Sequence, residues 1–149
     1  MKRMLSVAAL VAVVCFAAFA VWYFYQLPQT DVSPLRTIQL SGQTIRISVA
    51  DTEALREQGL SGRADLAGDE GMLFVFPKDG KYAFWMKDTH FPIDIMWLSA
   101  EGSIVYMPQN VSPGSFPRTF QPDVPARYVL ELPAGYAKEY NVNVGDIVR

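Results

Sequence analysis

The sequence predicts an all-β domain with minor α content: an antiparallel β-sandwich or small barrel with one or two short helices, preceded by an N-terminal transmembrane helix. Three observations lead there. Short apolar runs recur along the chain, divided by turn residues at roughly 8–12-residue spacing, the pattern of antiparallel β architectures. Only two brief stretches read as helix, a capped one ending at Gly59 and a turn or two over Ala134–Tyr140. Ahead of both lies an uncharged segment, Leu5–Tyr25, long enough to cross a bilayer.

That segment reads LSVAALVAVVCFAAFAVWYFY. At roughly 1.5 Å per residue it spans the ~30 Å of a hydrocarbon core. Lys2 and Arg3 precede it and the next charge is Asp31, so the N-terminus is expected in the cytoplasm and the remainder outside. Trp22, Tyr23 and Tyr25 fall where an interfacial aromatic belt would lie. A removable signal peptide cut after Ala18-Phe19-Ala20 is the alternative. The apolar run continues past Ala20 to Tyr25, which favours the anchor. The expected plan is a signal anchor or signal peptide over 1–25, a tether over 26–35 and a single extracytoplasmic β domain over 36–149. The expected location is the inner or cytoplasmic membrane, single-pass, with the C-terminal domain periplasmic or extracellular; cleavage would make it secreted.

Gln26–Leu35 is polar with two prolines and reads as the tether. Gln43–Val49 alternates, Ile45, Ile47 and Val49 against Thr44, Arg46 and Ser48, as a half-buried strand does. Asp51 or Thr52 can cap a helix through Glu53–Glu57 that stops at Gly59. Ser61–Gly71 has loop composition. Met72–Phe76 is a continuous apolar strand, and Pro77–Lys81, with Asp79-Gly80 at its centre, predicts a hairpin to Tyr82–Met86. Ile93–Leu98 and Ile104–Met107 form a second hairpin about Ala100-Glu101-Gly102. Pro108–Pro125 holds five prolines, so no central strand fits there, and a lid or a long surface crossover does. Tyr128–Leu132 is a strand, Ala134–Tyr140 a helical turn or two, and Ile147-Val148 a short closing strand.

Cys15 is the only cysteine and lies inside the apolar segment, so the exported part has no disulfide and no thiol ligand or nucleophile. Without Lys2 and Arg3 the chain carries 11 basic against 15 acidic residues, a net charge of −4, and no Lys/Arg run. Nucleic acid is therefore not an expected partner. The expected partners are the membrane, through the N-terminal helix, and an envelope ligand or protein.

The motifs GMLFVF (71–76), FWMKDT (84–89), PIDI (92–95), YVLELPAG (128–135) and VGD (144–146), with VADTEALREQGL (49–60), occur in an order and spacing that closely resembles domain of unknown function family 192, small and often exported prokaryotic proteins. The resemblance implies one compact, mostly β domain over about Ile45–Val148 and assigns no activity. Arg63 matches the Arg common after the family's helix. Ser61 stands where the family usually has Met, and Asp88 where it usually has Asn.

Several residues stand out chemically. Asp94 is the one charge in Ile93–Leu98, with Met96 and Leu98 on its face. A buried carboxylate needs a partner, and Arg46, Arg63, Lys87 and Arg127 are the available cations. The bland reading is a structural carboxylate that ties down loop N–H groups or one arginine. Glu131 poses the same problem in Tyr128–Leu132. If the two strands are neighbours, Asp94 and Glu131 could converge as the acid and base of a glycan or peptide hydrolase. Trp85 alternates with Phe84 and Met86; the expected arrangement buries Trp85 and half covers Phe84, while the alternative exposes Trp85 beside Lys87 as a sugar- or peptide-binding platform. His90 is the only histidine; with Met72, Met86, Met96 and Met107 it could hold Cu(I), but methionines on apolar strands pack cores far more often. No cofactor is expected. The leading functional expectation is a non-catalytic ligand- or protein-binding module of the cell envelope. Its site would lie where FWMKDTH meets the proline-rich loop, with Arg63, Trp85, Lys87, Asp88, Asp94, Arg127 and Glu131 as candidates. Hydrolysis through Asp94 and Glu131 is the alternative, and copper handling through Met86 and His90 the least favoured.

Overall fold

A computed structural model describes residues 36–149 together with Val13, Phe16, Ala17 and Phe19. The chain divides into two units, Met1–Val32 and Ser33–Arg149. In the first, the four described residues are helical. The membrane-helix and cleavage-site expectations fall on Leu5–Tyr25, which otherwise lies outside the described residues. Among the described residues no helix is long and apolar enough to cross a membrane.

The second unit is built on one six-stranded sheet, mostly β with two short helices. Strands β1 (Arg36–Leu40) and β2 (Gln43–Ala50) pair antiparallel. Ser41 and Gly42 between them have φ of 49° and 77°, the two left-handed residues that a tight hairpin needs. Helix α1 (Glu53–Gln58) starts at Thr52, whose hydroxyl accepts from the Leu55 N–H at 3.2 Å, and stops at Gly59, φ 50°. These caps are the ones expected from the sequence. The chain then returns through a loop into β3 (Glu70–Gly80), which runs parallel to β2, Arg46 opposite Glu70 and Ala50 opposite Phe74. The expected all-antiparallel arrangement is thus wrong at this pair: β2 and β3 are joined by a helical crossover rather than a hairpin.

The expected hairpin of Met72–Phe76 with Tyr82–Met86 does not form. β3 extends through Pro77 to Gly80, and its two sides are taken by β2 and by β6 (Ala126–Pro133), leaving Tyr82–Met86 no strand edge to join. Phe84 instead exchanges backbone hydrogen bonds with Phe120, at 2.9 and 2.8 Å. β4 (Ile93–Leu98) and β5 (Ile104–Tyr106) make the predicted hairpin, and β4 also pairs with β6. The strand order is β1-β2-β3-β6-β4-β5. Helix α2 (Tyr136–Glu139) follows β6.

The C-terminal residues do not form the expected strand, yet they bond to both outer strands. On the β5 side, Ile104 N–H donates to Asp146 O, Gly145 N–H to Ile104 O and Val148 N–H to Gly102 O. On the β1 side, Gln39 and Arg149 exchange N–H···O bonds at 2.6 and 3.0 Å. All of these contacts are made within the five residues Gly145–Arg149, a reach of roughly 15 Å, so the two margins of the sheet lie close together and the sheet curls on itself. Leu40 of β1, Ile104 of β5 and Val148 pack on one cluster with Ile45, Ile47, Met96, Leu98, Leu130 and Leu132. That cluster is the inside of the curl. In place of a two-sheet sandwich, one sheet closes toward a barrel, with the tail as its seam.

The other face carries a second core: Phe74, Met86, Ile93, Ile95, Trp97 and Val129, with Leu60, Val111 and Phe120 laid over it. Strand alternation explains the division, since Ile93, Ile95 and Trp97 go one way and Met96 and Leu98 the other. Pro108–Pro125 is the long surface crossover. It contains a 3-10 turn, Pro113–Ser115, and pins itself by inserting Val111 and Phe120 into the outer core.

Candidate functional site

Glu131 sits in the middle of β6, opposite Met72 of β3 and Ile95 of β4. The pleat turns it toward the outer core, where it is 5% exposed. No hydrogen-bond partner reaches its Oε2 atom. β3 and β6 approach closely beside it. A Cβ on Gly71 would lie 2.7 Å from Leu132 Cδ2 and 3.0 Å from the Glu131 carbonyl oxygen, so only glycine fits there.

Glu131 forms part of a cleft of about 310 Å³. One wall comes from α1 and its exit, with Arg56, Gly59, Leu60 and Ser61; the other comes from Phe74, Phe76, Tyr82, Phe84, Trp85, Lys87 and Thr89. Five aromatic residues therefore line the same cleft as one carboxyl. Phe76 and Tyr82 stack with centroids 3.5 Å apart, and Phe84 meets Phe74 edge-on at 4.8 Å. Burial pushes the Glu131 carboxyl up to about 8, against a smaller opposing pull from the Arg63 guanidinium. At neutral pH it holds its proton and presents an O–H donor.

The walls are fixed by hydrogen bonds of their own. Arg56 Nη1 donates to the carbonyls of Asp51 (2.7 Å) and Val75 (2.8 Å), and its guanidinium lies over Phe76, 5.4 Å from the ring centre. Ser61 and Thr89 both donate to the Lys87 carbonyl, at 3.0 and 3.4 Å. The Asp88 carbonyl accepts from Gly62 N–H, which ties the turn at 87–88 to the end of α1.

The sequence candidates fall into three groups. Glu131, Trp85 and Lys87 line the cleft. Trp85 is 55% exposed and Met86 2%, so the expected burial of Trp85 is corrected: Phe84 and Met86 turn to the core, and Trp85 stands at the surface. Arg63 lines a smaller hollow with Arg46, Ser48, Glu70 and Gly71, and its Nη2 donates to Ser48 Oγ at 3.3 Å. Asp88, Asp94 and Arg127 are elsewhere. Asp88 has φ of 53° and is exposed, a left-handed turn position that suits Asp and Asn alike, which accounts for this chain's departure from the family residue. Arg127 pairs with Asp79 at 2.6 Å.

Asp94 is completely buried, and its partners are backbone amides rather than a cation. Its Oδ1 accepts from Asn110 N–H (2.8 Å) and Gly135 N–H (3.3 Å), and its Oδ2 from Ala137 N–H (2.9 Å). It caps α2, whose own N-cap, Gly135, has no side chain to do so, and it fastens the start of the proline-rich crossover. Asp94 pairs with Leu132, whereas Glu131 pairs with Ile95. The two carboxylates therefore project from opposite faces of the sheet, and the acid–base pair considered from the sequence does not form. The proline-rich crossover contributes nothing to the cleft lining, contrary to expectation. The methionines divide between the two cores, Met72 and Met86 in one and Met96 and Met107 in the other, so the set considered for Cu(I) does not gather; His90 is exposed. Among the described residues, no three His, Cys, Asp or Glu side chains group as a metal site would require. Arg56, Ser61, Thr89 and the ring wall were not anticipated, because their meeting depends on where the loop at 81–92 crosses α1.

Fold and cleft together define a small β domain, one curled sheet with an aromatic cleft against its outer face. The DUF192 family model, "Uncharacterized ACR", matches residues 36–149, and the chain belongs to this family. A crystal structure from Sinorhizobium meliloti 1021, of a protein named as a candidate transcription regulator, superposes with a TM-score of 0.72 at 35% identity, covering 76% of this chain and 91% of that one. A protein of unknown function from Novosphingobium aromaticivorans DSM 12444 superposes at 0.74 with 28% identity, covering 80% and 89%. No curated protein matches the chain significantly.

Proposed function

We propose that this protein is a non-catalytic binding module of the cell envelope, anchored by its N-terminal apolar segment, and that it holds a small ligand in the Glu131 cleft. The observation that carries the reading is the Glu131 carboxyl, which lines the cleft and makes no hydrogen bond among the described residues. Buried polar groups are almost always satisfied, and a carboxyl left without any hydrogen bond on the wall of a ligand-sized, ring-lined cleft is a group that a ligand can engage. The net charge of −4 outside Lys2 and Arg3, without a basic run, supports a ligand other than nucleic acid, whatever the name of the Sinorhizobium protein suggests for that relative. The charge-free run Leu5–Tyr25 behind Lys2 and Arg3 supports the anchor and the outward orientation.

Thermal-shift measurements on wild type and on Ser61→Trp, which fills the cleft from its wall, test the binding role. Small-molecule fractions of an envelope extract are the probes. A fraction that raises Tm of the wild type alone supports it; stabilisation of both proteins alike, or of neither, refutes it. For location, alkaline phosphatase fused to the C-terminus should be active in a bacterial host, and an inactive, cytoplasmic fusion would overturn the orientation.

A further inference from the structure

The composition of the cleft narrows the chemistry of its occupant. Glu131 offers one unsatisfied carboxyl at a depth where it is 5% exposed. The cations near it are committed: Arg56 to two carbonyls and the Phe76 face, Arg63 to Ser48. They remain positive, however, and with Lys87 they oppose an ammonium group in the cleft. Glu53 and Glu57 on the α1 wall oppose an anion in the same way. An uncharged ligand meets neither penalty. Ser61 and Thr89 spend their hydroxyl protons on the Lys87 carbonyl, so their oxygens are free to accept. Trp85 stands at the surface with an open ring face, the surface on which the C–H side of a sugar ring stacks. A volume of about 310 Å³ is at the small end for ligand sites and suits one ring rather than a chain of them.

We infer that the cleft takes one uncharged sugar ring, its C–H face on Trp85, its hydroxyls donating to Ser61 and Thr89, and one oxygen accepting from Glu131. This rests on the cleft being a binding site, as argued above, and adds the ligand class. Glu131 acts here as a proton-bearing donor, because burial holds it neutral. The charged and titratable groups that share the cleft with it are Glu53, Arg56, Glu57, Tyr82 and Lys87, with Arg63 from the neighbouring hollow.

The test uses the full chain in detergent micelles and follows tryptophan emission on titration. The probes are the methyl glycosides of glucose, galactose, mannose and N-acetylglucosamine, with methyl glucosaminide as the cationic and methyl glucuronide as the anionic counterpart. At least one neutral glycoside should bind, and at least tenfold more tightly than both charged ones at pH 6.5. Trp85→Phe should remove the emission change and, by isothermal titration calorimetry, which needs no tryptophan reporter, bind that glycoside several-fold more weakly. Affinity for that glycoside should be about tenfold weaker at pH 9 than at pH 7, as Glu131 loses its proton. Glu131→Gln, which keeps a donor and cannot ionise, should bind equally at both pH values. Tighter binding of the glucosaminide or of the glucuronide overturns the uncharged-ligand assignment while leaving the cleft a binding site. Binding of none of the six overturns the sugar assignment, and the Ser61→Trp comparison then decides the cleft separately. A glycoside that binds Trp85→Phe and wild type alike, with no pH dependence, overturns the placement on Trp85 and Glu131.

Discussion

Glu131→Gln should abolish a pH dependence of folding that the wild type shows. The carboxyl titrates near 4.5 in the unfolded chain and near 8 in the folded one. Below about pH 4.5 both states hold the proton, and the residue contributes no pH dependence. Between the two values only the unfolded chain releases it, so folding loses roughly 1.4 kcal/mol per pH unit. Above pH 8 both states are ionised, and the accumulated cost is about 5 kcal/mol. Glutamine has nearly the same shape and no proton to lose. The difference in stability, variant minus wild type, should therefore grow from pH 4.5 to 8 and then level off. For a domain of this size about 5 kcal/mol corresponds to a Tm difference on the order of 15–20 °C. Circular dichroism melts of both proteins at unit pH steps from 4 to 9 measure it, and every other titrating group cancels in the difference. A gap that stays constant across this range would mean that Glu131 is solvated or ion-paired in the folded protein and is not a neutral donor.

Asp94→Ala strands three N–H groups that the carboxylate now satisfies and should cost about 3–5 kcal/mol by urea unfolding; Asp94→Asn should recover only part of this, since its amide nitrogen faces a donor at one of the two positions. Trp85→Ala should leave urea stability within about 0.5–1 kcal/mol, the residue being 55% exposed, whereas Trp97→Ala, fully buried and bonded through Nε1 to Tyr82 O at 2.9 Å, should cost about 3–5 kcal/mol. Gly71→Ala forces a methyl group against Leu132 and the Glu131 carbonyl and should cost about 1–3 kcal/mol, with raised amide exchange in β3 and β6 as its local signature.

How much was legible in the sequence depends on the range of the interaction concerned. Thr52 and Gly59 mark α1 through contacts three or four residues away, and alternation separated Ile93, Ile95 and Trp97 from Met96 and Leu98 before any partner was known. The β4–β5 hairpin is equally local. The failures involve partners far apart in sequence. That β3 runs parallel to β2, and that β6 takes its other side, is set by how the whole sheet closes, and without it Tyr82–Met86 looked like a hairpin arm. The same ignorance of strand order allowed Asp94 and Glu131 to be imagined together, when register places them on opposite faces. Glu131 was conspicuous as a charge in an apolar strand; that it lacks a partner, while Asp94 has three, is visible only once the loops at 81–92 and 108–112 are in place. Trp85 had the right alternation, and its exposure turned on which half of Phe84-Trp85-Met86 met the core.

The five-residue tail that seams the curled sheet has a consequence for self-association. Outer strands with open N–H and C=O groups invite pairing with another copy of the chain, and many β proteins guard each of them separately. Here a single short peptide occupies positions on both, at Gly102 and Ile104 on one side and at Gln39 on the other. Losing Gly145–Arg149 would uncover two sticky margins at once and let the curl open, so a truncation of 5 residues should act less like a trimmed terminus than like an unlatched clasp, yielding edge-paired oligomers. The last residues described are thus a guard on both margins of the sheet at once.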